Sequence, residues 1–145
     1  MLLSDRIKTP AARRLGFLCS AAAMVLASAV ALPGTAHAAG GYNGECGSGY
    51  KLIDTLWTGG IFKVYLTYSA ATGNNCVVTI RASVGSPAPM NAWIQRSNDG
   101  SSYRDDPGQF TNYAGPVYLH AKGSCIDWGG EFNGGDAEQF YSHCK

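Results

Sequence analysis

The chain has 145 residues, of which 46% are hydrophobic and 14% charged, with a formal net charge of +1. That length suits one domain, and the even charge balance lacks the surplus of Lys and Arg that binding to nucleic-acid phosphates needs. Nineteen Gly and eight Tyr at so low a charge fraction also argue against a disordered chain or a charged helical bundle.

The chain begins with Arg6, Lys8, Arg13 and Arg14 against a single Asp5, followed by an almost uncharged run over 15–32. Pro33-Gly34 and the small-residue triplet Ala36-His37-Ala38 close that run. A basic start, an apolar middle and an A-x-A end predict a secretory signal peptide over 1–38, cleaved after Ala38. The exported domain is then 39–145, in which seven bases face nine acids, for a formal charge of −2. No apolar run in 39–145 is long enough to anchor it in a membrane.

Removing Cys19 with the signal leaves Cys46, Cys76, Cys125 and Cys144. Four cysteines in a small exported domain predict two disulfides, for which three connectivities can be drawn. Cys46–Cys76 with Cys125–Cys144 is favoured, since each pair joins neighbouring chain segments. Each bond contributes roughly 3 kcal/mol, mainly by restricting the unfolded chain. A zinc site is disfavoured because there is no C-x-x-C pair and only His120 and His143 remain.

Strands predominate along the chain. Over 61–68, Phe62, Val64, Leu66 and Tyr68 alternate onto one face; over 76–84, Cys76, Val78, Ile80, Ala82 and Val84 do the same. The turn-forming Ala71-Thr72-Gly73-Asn74-Asn75 between them predicts a β-hairpin. Further strands are expected at 50–57, 90–97, 115–122, 124–129 and 138–144, separated by Gly- and Pro-rich turns. The stretch 86–109 is polar and reads largely as loop around the strand at 90–97. No stretch in 39–145 keeps a helical period for three turns. The fold class is therefore all-β, a small antiparallel sandwich or barrel stapled by two disulfides.

Catalytic patterns are sparse. G-x-S-x-G, phosphate-binding Gly loops and H-E-x-x-H are all absent. His120 could serve a small hydrolase as general base with one of the aspartates, but it reads more simply as a solvent-facing strand residue. Asp99, Asp105 and Asp106 could hold a hard cation or act as paired carboxylates, yet Asn98-Asp99-Gly100 is more simply a turn. No catalytic, cofactor or metal residue is assigned. Three Trp, four Phe and eight Tyr within 39–145 make an aromatic contact face the better candidate, with Trp57, Trp93 and Tyr103 as its expected residues. The two prolines within 86–90 suggest a protease-inhibitor loop as a variant of that idea.

Four blocks carry a resemblance. They are Gly41-Tyr42-Asn43-Gly44-Glu45-Cys46-Gly47-Ser48-Gly49-Tyr50, then Val64-Tyr65-Leu66-Thr67-Tyr68 leading to Thr72-Gly73-Asn74-Asn75-Cys76-Val77-Val78-Thr79, then Tyr113-Ala114-Gly115-Pro116-Val117-Tyr118, and Cys125-Ile126-Asp127-Trp128-Gly129-Gly130. In this order they resemble the spore-associated protein A family of filamentous actinobacteria, over nearly all of 39–145. The resemblance implies a secreted protein with no established catalysis, associated with the spore envelope or a cell-wall component. A soluble extracellular module that binds a glycan or a secreted protein is the alternative.

Overall fold

The computed structural model describes residues 41–145; the predicted signal peptide and its cleavage site lie outside them. Nine strands follow one another: β1 Lys51–Trp57, β2 Phe62–Ser69, β3 Asn74–Arg81, β4 Ala88–Arg96, β5 Asp99–Asp105, β6 Gly108–Phe110, β7 Tyr113–His120, β8 Ile126–Phe132 and β9 Gly135–Ser142. They form two antiparallel sheets. Sheet I has the order β1-β2-β3-β7; sheet II has β5-β4-β8-β9, with β6 paired to the start of β4. Neither sheet closes on itself, so of the two expected architectures the fold is the sandwich.

Alternation builds the layer between the sheets. Phe62, Val64 and Leu66 of β2 share that layer with Val77, Ala114, Val117 and Leu119. From sheet II come Met90, Ala92, Ile94, Ile126 and Trp128. Trp128 is fully buried, and its indole N–H donates to Ser142 Oγ at 3.1 Å, which satisfies the one polar atom a buried Trp brings.

Cys76, Val78 and Ile80 do share a face, as their period predicts, but it is the face of sheet I turned away from sheet II. There they pack with Tyr65 and with Cys46, Tyr42 and Tyr50 of the segment 41–50, which lies across the sheet as a strap. The Cys46–Cys76 disulfide bonds the strap down. Tyr42 meets Tyr65 at 5.8 Å, and the Tyr118 hydroxyl donates to the Cys46 carbonyl at 3.1 Å. The second disulfide, Cys125–Cys144, ties the start of β8 to the segment after β9. Both favoured pairings are therefore present.

The seven expected strands all form. The polar stretch 86–109 differs from expectation, because it holds β5 and β6 as well as β4. β5 reads as loop since only Ser102 in it is buried; pairing to β4 and the Ser102 hydroxyl, which accepts from Arg96 N–H at 2.8 Å, hold it instead. Only part of 86–90 is loop: Ser86 and Pro87 are exposed outside any strand. Ala88, Pro89 and Met90 pair with β6, Met90 also pairs with Phe132 of β8, and its side chain is buried.

Candidate functional site

Within β4, Ala92 and Ile94 point into the core, so Trp93 must point to the outer face of sheet II. Its partner on β8 is Gly129, where an added Cβ would lie 2.9 Å from the indole. The glycine lets the large ring lie down across β8, which leaves Trp93 only 8% exposed. Tyr103 of β5 stacks against it at 6.0 Å with 26° between the planes, and Phe140 of β9 approaches from the other side at 6.2 Å. A ridge of three rings thus crosses the sheet. The outer two are open to solvent, Tyr103 at 40% and Phe140 at 56%.

Carboxylates surround this ridge. Asp105 is the register partner of Trp93 on β5, and Glu138 is that of Gly129 on β9. Glu131 and Asp136 are partners one step further along the same face. All four are exposed. Burial pushes the Tyr103 hydroxyl above its usual pKa; the charge of Asp105 pushes it further, hydrogen bonding by Asn91 draws it back, and the charge of Glu131 adds a smaller rise. Asn91 and Glu131 also line a cavity of about 430 Å³, with Gln109, Asn133, Pro89 and Gly134. That volume falls within the range of small-ligand pockets.

Asp127 underlies the far end of the face. Burial opposes its charge, but Ser97 Oγ, the Tyr141 N–H at 2.9 Å and Gln95 Nε2 at 3.0 Å all donate to it. Together they hold its pKa below the ordinary carboxylate range.

Of the three expected contact residues, Trp93 and Tyr103 come together. Trp57 does not join them; it ends β1 on sheet I, 72% exposed, with Lys63 Nζ over its ring at 5.8 Å. The three aspartates separate into unrelated roles. Ser101 and then Arg96 hold Asp99, lowering its pKa; Asp106 accepts the Gly115 N–H at 2.7 Å; Asp105 flanks the ridge. His120 ends β7 against Gly73, and among the described residues its ring makes no hydrogen bond to a carboxylate. No group of three metal-binding side chains occurs among the described residues.

Phe140, Asn91 and Glu131 escape sequence reading. Asp136, Glu138 and Phe140 do alternate along β9, a period-two signal that assigns them one face without saying which neighbours share it. A second pairing, His143 Nε2 with Asp54 Oδ2 at 2.9 Å, joins positions 89 apart and has no local signature. It stands beside a crevice of about 480 Å³ lined by Ile53, Tyr68, Asn75, Ala121, Lys122, His143 and Lys145.

No family model and no solved structure matches the chain. Over 123 residues, 85% of this chain and 79% of the relative, the sequence is 42% identical to spore-associated protein A of Streptomyces coelicolor. With that identity over that share of both chains, the protein belongs to the spore-associated protein A family.

Proposed function

We propose that this is an exported, non-enzymatic protein that associates with the spore or cell surface through the outer face of sheet II. The contiguity of the ridge carries this reading: Tyr103 and Phe140 flank Trp93 in one row across the sheet and expose aromatic surface at both of its ends. The name of the Streptomyces coelicolor relative, the two disulfides and the signal peptide predicted from the sequence support the location. A soluble binding module is the second reading. It would use the same face and differ in where the protein comes to rest.

The test is a blot of washed spores, vegetative wall and culture medium from a sporulating culture, for wild type and Phe140→Ser. Wild type is expected on spores after washing at physiological ionic strength, with the variant shifted to the medium. Wild type found only in the medium would overturn surface association and favour the soluble module.

A further inference from the structure

We infer that the ligand of the sheet II face is a glycan bearing free, protonated amino groups; the inference rests on the surface reading above and names the chemistry of its partner. The first observation is charge. Asp105, Glu131, Asp136 and Glu138 stand on one face, and none has an ion-pair partner among the described residues. The two bases of these strands do not relieve them. Arg96 is held by Asp99 and the His120 carbonyl, and Arg104 folds back onto the carbonyls of Ser101 and Tyr103. Four like charges on one small surface repel each other, so a cationic ligand gains from each of them, whereas a neutral one gains from none.

The second observation is the shape and chemistry beside those charges. Tyr103 and Phe140 offer exposed ring faces, whose negative quadrupole attracts both the C–H face of a sugar ring and an ammonium group. The adjoining cavity is lined by Gln109, Asn133 and the Glu131 carboxylate, and by Asn91, whose amide is already engaged with the Asp106 N–H and Tyr103. Amides both donate and accept, which suits a ligand rich in hydroxyl groups. A basic peptide would reach the carboxylates through long flexible side chains, whereas an amino sugar carries its ammonium, hydroxyls and C–H face on one rigid ring, matched to the carboxylates, amides and aromatic rings with less entropy to lose.

The experiment measures binding of the disulfide-intact protein to a glucosamine hexamer and to an N-acetylglucosamine hexamer, by calorimetry. The free-amine hexamer is expected to bind at least about tenfold tighter, since charge-assisted hydrogen bonds exceed neutral ones by that much. Added salt should erode that advantage. Glu131→Gln, which keeps the side chain's shape at an exposed position, should lower affinity for the free-amine hexamer about tenfold and leave the acetylated one unchanged. Equal binding of the two hexamers, or an unaltered Glu131→Gln, would overturn the inference. So would displacement by oligolysine with neither sugar binding, which would make the partner a basic protein segment. If neither hexamer binds yet Phe140→Ser is still released from spores, the ligand class is wrong and the surface reading stands. If Phe140→Ser stays on spores, the sheet II face is not what holds the protein there, and the inference falls with that assignment.

Discussion

The strapped part of sheet I and the open ridge of sheet II treat an outward aromatic differently, while Trp57, beyond the strap, stays 72% exposed. On sheet I the outward Tyr65 is only 6% exposed, because the strap 41–50 covers it and a disulfide fixes the strap. On sheet II no segment crosses the ridge as the strap does, and Phe140, packed on Trp93, stays mostly in solvent. Charge follows the same division. The strands of sheet I carry Lys51, Lys63 and Arg81 against Asp54, whereas those of sheet II carry Asp99, Asp105, Asp127, Glu131, Asp136 and Glu138 against Arg96 and Arg104. Tyr65 and Phe140, both outward on alternating strands, thus differ in burial because another piece of chain covers the first and not the second. Ten residues and one disulfide make that difference here.

The largest expected effect comes from breaking the cover. Cys46→Ser with Cys76→Ser should cost about 3–4 kcal/mol, the entropy of a long loop, with loosened packing over Tyr65 and Val78 added to it. The Cys125–Cys144 bond closes a shorter loop and lies over no second core, so Cys125→Ser with Cys144→Ser should cost less. Urea unfolding of the two double variants decides the matter, and an equal or reversed ranking would deny the strap its stabilising role.

Next in size is the contact between the sheets. A Cβ at Gly130 of β8 would fall 1.8 Å from Thr79 Oγ1 of β3 and 2.9 Å from the Asn91 carbonyl. Gly130→Ala should therefore cost about 1–3 kcal/mol by overpacking. The Thr79 hydroxyl is buried without a hydrogen-bond partner. Adding Thr79→Ala to Gly130→Ala should recover part of the loss, because it removes the nearest obstacle and an unsatisfied group together. A strictly additive double variant would mean the two sheets do not touch at this point.

How much of this was legible in the sequence depended on whether the signal was local. Phe62, Val64 and Leu66 announce a buried face by period alone, and chain order favours, among three connectivities, the Cys pairs that form. The strap was legible as Cys46 yet not as a cover, because Tyr42 and Tyr50 show no period and their partners lie on β2 and β7. β5 was missed since its order comes from β4 and not from buried side chains of its own. At the site, Trp93 and Tyr103 could be nominated as large aromatics. Their union with Phe140, and of Asn91 with Glu131, depends on the β5-β4-β8-β9 order, which no local pattern encodes.

A smaller effect, dependent on pH, distinguishes support of the sheet II face from the face itself. Asp127→Asn replaces a buried carboxylate that accepts three hydrogen bonds and should cost about 1–3 kcal/mol near neutral pH. The folded-state pKa of Asp127 is lowered, so its contribution is complete above the unfolded value of about 3.9 and is lost as pH falls through the folded value. The stability gap between wild type and variant should therefore narrow below pH about 4. A gap that stays constant down to the acid transition would show that charge at Asp127 contributes nothing.

The smallest expected change in stability is also the one that most sharply separates the two faces. Phe140 touches Trp93 but leaves more than half its surface in water, so Phe140→Ser should alter unfolding free energy by no more than about 0.5 kcal/mol. Tyr65→Ser, on the covered face, removes a ring packed among Cys46, Cys76 and Val78 and should cost several times as much. Two outward-facing aromatics on neighbouring sheets would then differ in stability and, in the opposite sense, in spore binding. If Phe140→Ser instead unfolds as readily as Tyr65→Ser, its ring belongs to the packing of β9 and the ridge loses its open end as a contact surface.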